Sequence, residues 1–153
     1  MQEVVHDAGS VYHQPLAECL AEAVKQAFPG KPKDEIKIID VGAGTGLMAV
    51  ELQKLGYKNL HALDISQGML NEAKKKNVYN KFICAALTDQ RIPEIEAGEY
   101  DALICGGSMF KGHIRSSAII EMVRMVKTGK FCCQNNVKLF GRRRLPRFVP
   151  CHR

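Results

Sequence analysis

The stretch from Ile36 to Leu52 constrains this chain more than any other. Ile36-Lys37-Ile38-Ile39-Asp40-Val41 is an apolar run rich in β-branched residues and reads as a buried strand. It runs into glycines at 42, 44 and 46, then into Leu47-Met48-Ala49-Val50-Glu51-Leu52, which reads as a helix. A strand, a glycine turn and a helix in immediate succession let a ligand lie against bare backbone at a helix N-terminus. The spacing is G-x-G-x-G, whereas the dinucleotide fingerprint G-x-G-x-x-G places its last glycine one residue later. Asp64 closes the next apolar segment, Asn59-Leu60-His61-Ala62-Leu63, at about the distance where a ribose-binding acid is expected. Together these features point to a nucleoside-bearing cofactor.

The surrounding chain alternates strand and helix signals. Pro15 to Phe28 predicts an amphipathic helix with Pro15 in its first turn, ended by Pro29-Gly30. Strands are expected at 36–41, 59–64, 81–85, 100–105 and 130–134, and helices at 46–55, 67–76 and 115–127. Ser66 suits the N-cap of the helix from Gln67. Such alternation implies a doubly wound α/β fold with a mostly parallel sheet and right-handed crossovers. Ligands in these sheets bind beyond the C-terminal strand ends where the strand order reverses. Gly42–Gly46, Asp64, Leu87-Thr88 and Gly106–Ser108 would converge at that edge.

At 153 residues the chain has the length of one domain, with 46% hydrophobic and 25% charged residues. The N-terminal Met1-Gln2-Glu3-Val4-Val5-His6-Asp7 lacks a basic, apolar leader pattern, and no apolar run approaches the length of a membrane span. The expectation is a cytoplasmic protein without a membrane partner. The net charge of +6 is local: residues 138–153 carry six basic residues and no acidic one. Taking those six from the 22 basic residues leaves 16, equal to the 16 acidic residues of the whole chain. Residues 1–137 are therefore formally neutral, and Arg142-Arg143-Arg144 reads as a solvated end with at most weak affinity for nucleic acid. None of the six cysteines stands in C-x-x-C spacing, and those in strand-like runs (Cys84, Cys105, Cys132, Cys133) are expected as buried thiols, with no metal site.

Asp40-Val41-Gly42-Ala43-Gly44-Thr45-Gly46, followed by Asp64-Ile65-Ser66-Gln67-Gly68-Met69-Leu70, resembles the class I S-adenosylmethionine-dependent methyltransferases. The second segment matches their D-x-S-x-x-M-L pattern at the end of strand two, and the likeness covers most of the chain. The resemblance implies that the backbone of Gly42, Ala43, Gly44 and Gly46 faces the methionine part of S-adenosylmethionine. It implies Asp40 near the cofactor's ammonium group and Asp64 accepting the ribose hydroxyls. Ile65 and Met69 would flank the adenine, with Leu87 and Thr88 completing the pocket and Gly106 facing it from strand four. Where many relatives end strand three in an acidic residue, this chain has Ala86-Leu87-Thr88. Read without a ligand, the glycines make a tight turn, Asp64 caps the next helix, and Asp40 is a strand-end carboxylate satisfied by backbone amides.

The family's sheet ends in an antiparallel hairpin after strand five. Here Val137-Lys138-Leu139-Phe140 and Arg147-Phe148-Val149 could form a poor substitute, but Pro146 and the four arginines at 142, 143, 144 and 147 argue against a central strand. The expected fold is therefore a Rossmann-like doubly wound sheet lacking the C-terminal antiparallel hairpin. It comprises a cofactor-binding domain at 1–136 and a basic, poorly ordered tail at 137–153, as in a truncated form. Gly106-Gly107-Ser108-Met109-Phe110-Lys111-Gly112-His113 carries neither N-P-P-Y nor a Pro-Cys pair, the marks of nucleic-acid-base acceptors. The expected acceptor is a small molecule or a protein, with no catalytic residue assigned; His113 is either a general base or a solvated loop histidine. A nicotinamide-dependent oxidoreductase and a catalytically silent cofactor-binding or interaction form are the alternatives.

Overall fold

The computed structural model describes the backbone of residues 4–106, 114–127, 130–133, 136–141 and 144–149, and the side chains of 13–106 and 114–127. Five strands run parallel: β1 (Lys37–Val41), β2 (Asn59–Asp64), β3 (Lys81–Cys84), β4 (Ala102–Cys105) and β5 (Lys130–Cys133). β6 (Asn136–Gly141) and β7 (Arg144–Val149) follow antiparallel, and the sheet order is β3-β2-β1-β4-β5-β6-β7. The helices are α1 (Val4–Ala27), α2 (Leu47–Lys54), α3 (Gln67–Lys74) and α4 (Ile119–Met125).

The central strands are buried on both faces, as a parallel sheet between helices requires. Ile38, Leu60, Ala102 and Ile104 pack with Leu16 and Leu20 of α1 and Met48 and Leu52 of α2. The alternate positions Ile39, Val41, Leu63 and Leu103 pack with Met122 and Met125 of α4. Each of these Ile, Leu, Val and Met side chains contributes about 1.5–3 kcal/mol by leaving water. Two polar side chains are buried in the central strands: His61 of β2, paired with the Tyr100 hydroxyl at 2.8 Å, and Asp40, in register with Ala62 and Ile104 and 2% exposed.

Two polar clusters lock the periphery. Asp101, buried ahead of β4, accepts hydrogen bonds from Lys31 (2.9 Å), Lys127 (3.0 Å) and the Lys37 amide (3.0 Å). It thereby ties the entry to β1 to the segment after α4. Glu121 of α4 accepts the Ile92 amide at 2.8 Å and the Arg124 guanidinium at 2.6 and 2.7 Å. Arg124 in turn donates to the carbonyls of Ile92 and Ile95, so the 92–95 connection is fastened to α4.

Three expectations need correction. The antiparallel hairpin expected to be missing is present in the backbone at 136–141 and 144–149. β5 would otherwise leave its outer N–H and C=O groups unpaired, and antiparallel neighbours need only a tight link to satisfy them. Pro146 fits because β7 is the outermost strand and its register with β6 shifts between Leu139 and Gly141, opposite that proline. Pro15 lies inside α1, which begins at Val4 rather than at the proline. A proline there forfeits one intrahelical bond; the apolar stripe of Leu16, Leu20 and Val24, buried against the sheet, supplies the stabilisation that offsets it. Cys84 is exposed rather than buried, its thiol 3.5 Å from the Ile65 carbonyl, because β3 is an edge strand. Among the described residues, no helix is long and apolar enough to cross a membrane.

Candidate functional site

The strand order reverses between β1 and β4, and the loop after β1 lies at that junction. Gly42, Gly44 and Gly46 adopt φ of +68°, +56° and +90°, so every second residue of the turn is left-handed, a region open to glycine at little cost. The turn is laced to the end of β2: the Gly42 and Ala43 amides donate to the Leu63 carbonyl at 2.8 and 3.1 Å. The Gly46 amide donates to the Ala43 carbonyl at 3.0 Å, and Gly46 then starts α2.

Asp64 joins the two halves of the site. Its Oδ2 accepts the Gly44 amide at 2.9 Å and its Oδ1 accepts the Ser66 amide at 2.8 Å. The N-cap of α3 is Ser66, whose Oγ accepts the Met69 amide at 3.3 Å, so Asp64 is not occupied as a helix cap. Each carboxylate oxygen keeps acceptor capacity beyond the bond it makes. Above Gly44 nothing lies within 4 Å of where a Cβ would stand. That open space is bordered by a carboxylate with spare lone pairs, which leaves room for a ligand with hydrogen-bond donors beside bare backbone. Ile65 and Met69, beside Asp64, are 71% and 46% exposed, which leaves two apolar side chains available to a flat apolar ring.

Asp40 sits beneath the turn. The Tyr79 hydroxyl donates to its Oδ2 at 2.5 Å, and burial together with the nearby Asp64 charge outweighs that bond to push its pKa up to about 7. The Tyr79 phenol is held far above its ordinary range by burial and by Asp40. Tyr79 also stacks edge-on with Phe82, with ring centres 5.5 Å apart. Nothing in the sequence motifs singles Tyr79 out, because it lies 39 residues from Asp40 and meets it only through the β1–β2–β3 arrangement. Lys76, on the same α3–β3 connection, gives its ammonium to the Thr45 carbonyl at 2.6 Å.

The remaining expected residues are less concentrated. Leu87 packs partly into the core on the α4 side, and the exposed Thr88 hydroxyl accepts the Gln90 amide at 3.1 Å. Gly106 follows β4, and a Cβ there would stand 3.0 Å from the Met48 methyl. Gly107 to His113 lie outside the described residues, and so does the question of a general base there.

The glycines differ in what a side chain would meet. Gly46→Ala would force a left-handed residue against Tyr79 Cε2 at 3.1 Å and Ala73 Cβ at 3.4 Å. It is expected to cost about 1–3 kcal/mol of stability by urea unfolding. Gly44→Ala meets open space, so its expected stability loss is confined to about 1–2 kcal/mol of left-handed strain. Its larger effect should be on ligand binding, since the methyl fills that space.

A methyltransferase-domain family model matches residues 38–129. Human methyltransferase-like protein 27 is 35% identical over 129 residues, which is 80% of this chain and 51% of that protein. The biotin biosynthesis bifunctional protein BioHC of Saccharophagus degradans is 33% identical over 108 residues, 68% of this chain and 17% of that protein. The chain thus spans about half the length, or less, of these curated relatives. Among solved structures, an S-adenosylmethionine-dependent methyltransferase of Aquifex aeolicus aligns with a TM-score of 0.57 at 18% identity, covering 76% of this chain and 62% of that one. The sugar N-methyltransferase KedS8 of Streptoalloteichus aligns with a TM-score of 0.60 at 19% identity, covering 78% and 47%. At these identities the structural likeness speaks to the fold.

Proposed function

The chain belongs to the class I S-adenosylmethionine-dependent methyltransferase family, and from that premise we propose that it binds S-adenosylmethionine and serves methyl transfer to a small-molecule or protein acceptor. The observation that carries the reading is the Gly44–Asp64 bond beside the open space at Gly44. Bound there, the cofactor would supply an electrophilic methyl group on a sulfonium, which an acceptor would take by in-line displacement of the thioether. The protein's own contribution to such a reaction is alignment and exclusion of water.

At Gly44 the backbone lets a ligand approach without meeting a side chain, whereas Gly46 faces Tyr79 and Ala73. Asp64 is positioned by two amides and keeps lone pairs for two ribose hydroxyls. Ile65 and Met69 offer apolar cover to the adenine, with Leu87 and Thr88 beyond and Gly106 toward the acceptor side. Asp40 supplies a carboxylate beneath the turn for the ammonium end. Residence in the cytoplasm is part of the proposal, and the exposed thiol of Cys84 suits a reducing compartment.

Calorimetry on the full chain with S-adenosylhomocysteine, and with NADH as control, tests the reading. Saturable heat and thermal stabilisation with the first ligand alone are expected. Ligand at 100 times its Kd should add about 2.7 kcal/mol of stability. Binding of NADH in its place, or no binding of either at millimolar concentration, would overturn it.

A further inference from the structure

The buried carboxylate of Asp40 is the one polar side chain in its row of the sheet, where its register partners are Ala62 and Ile104. Buried carboxylates are held by hydrogen bonds, and here the donor is a phenol from another part of the fold. The same ring approaches Gly46 so closely that a Cβ there would stand 3.1 Å away. Tyr79 therefore bonds the acid beneath the turn and occupies the space beside the last glycine of the turn.

We propose that Tyr79 is a positioning residue of the cofactor site: it holds the Asp40 carboxylate beneath the glycine turn, so that uptake of a nucleoside ligand bearing an ammonium group follows the ionisation of Asp40, while uptake of the same nucleoside without that group does not. The inference rests on the S-adenosylmethionine reading above and adds to it a residue and a pH dependence.

Three things set the ionisation. Burial is the largest and favours the neutral acid; the Tyr79 hydroxyl favours the anion; the Asp64 charge at the end of β2 favours the neutral acid. The balance leaves Asp40 at about 7, so its charge changes across the physiological range. The neighbours it faces in the sheet carry no charge, and the Lys76 ammonium on the Tyr79 connection is engaged by the Thr45 carbonyl. Tyr79 itself stays protonated throughout, because burial and Asp40 both raise its phenol. A neutral Asp40 offers a cationic ligand no opposite charge. An ionised one does, and the buried setting screens that attraction little.

The sign of the effect follows. Affinity for S-adenosylhomocysteine should rise with pH from 5.5, by roughly tenfold in all, and level off above the Asp40 value. Tyr79→Phe removes the bond that favours the anion, so the levelling-off should move upward by roughly one pH unit. A loss of packing alone would lower affinity at every pH and leave the inflection in place. 5′-Methylthioadenosine carries the adenosine without the amino acid ammonium and should bind with a flat profile to both proteins. Asp40→Asn, neutral at all pH, should flatten the profile for S-adenosylhomocysteine.

The experiment is calorimetry of the full chain and both variants with the two ligands from pH 5.5 to 9, with thermal melts to verify folding. Should Tyr79→Phe fail to fold, the two ligands on the unmodified chain and on Asp40→Asn still decide. An unmoved inflection in a folded Tyr79→Phe, or the same pH dependence for 5′-methylthioadenosine, overturns the proposal. If both ligands bind with flat profiles, this inference falls and the cofactor reading stands. If neither binds at any pH, both fall.

Discussion

Replacing Asp64 with alanine is expected to weaken S-adenosylhomocysteine binding by about 3 kcal/mol, roughly 150-fold. Hydrogen bonds to a charged acceptor contribute about 1.5–3 kcal/mol each, and the carboxylate would serve two ribose hydroxyls. Its loss also frees the Gly44 and Ser66 amides, so the turn and the start of α3 lose the group that fixes their separation. Both amides lie in partly exposed segments and can turn to water, which keeps the expected stability loss near 1 kcal/mol, smaller than the binding loss. Asp64→Asn retains one acceptor oxygen and should fall between the two. A series of ligands locates the effect. S-adenosylhomocysteine and 5′-methylthioadenosine share the ribose and should lose affinity together, whereas free adenine should lose nothing. An equal loss for adenine would mean that Asp64 acts by shaping the pocket and not on the ribose.

The parts of this fold legible in the sequence are those written by neighbours along the chain. β2 begins at Asn59 and ends at Asp64, as its apolar run predicts, and Ser66 caps α3 as its residue type predicts. The turn after β1 is legible for the same reason. Glycines at 42, 44 and 46 have a purpose only where alternate residues are left-handed, and that is where they stand. What stayed hidden depends on contacts between distant segments. In the sequence Asp40 reads first as a ligand-facing acid and second as a carboxylate satisfied by amides; its partner is the Tyr79 phenol, which no local pattern could name. Pro15 looks like a helix start, because the packing that carries a helix through it comes from the sheet. β6 and β7 follow from the unpaired edge of β5, a demand that periodicity in residues 136–149 does not express.

The same reasoning identifies where the fold is most vulnerable away from the site. Glu121→Ala should destabilise the protein by about 3 kcal/mol, lowering Tm by roughly 8 °C. Glu121 is 2% exposed, and its carboxylate is the meeting point of the Ile92 amide and the Arg124 guanidinium. Removing it strands a buried amide and an arginine whose Nη1 already lacks a hydrogen-bond partner. Breaking a buried pair by deleting one partner costs about 3–5 kcal/mol, and the lower end applies because the Arg124 side chain is 21% exposed and can reach water. Glu121→Gln keeps an oxygen for the Ile92 amide and should lose less. Burial alone would raise the Glu121 pKa, but the hydrogen bonds from Arg124 and from the Ile92 amide outweigh it and hold the carboxyl below its ordinary value of 4.5. A carboxylate depressed in the folded state stabilises above its unfolded pKa, and that contribution disappears as pH falls through the folded one. The gap in unfolding free energy between the native chain and Glu121→Gln should therefore be full at neutral pH and close in acid, below 4.5. Urea unfolding at a series of pH values reads it directly, with the slope against denaturant unchanged if both chains unfold from the same compact state. A gap that persists undiminished in acid would assign the loss to packing and not to the charge.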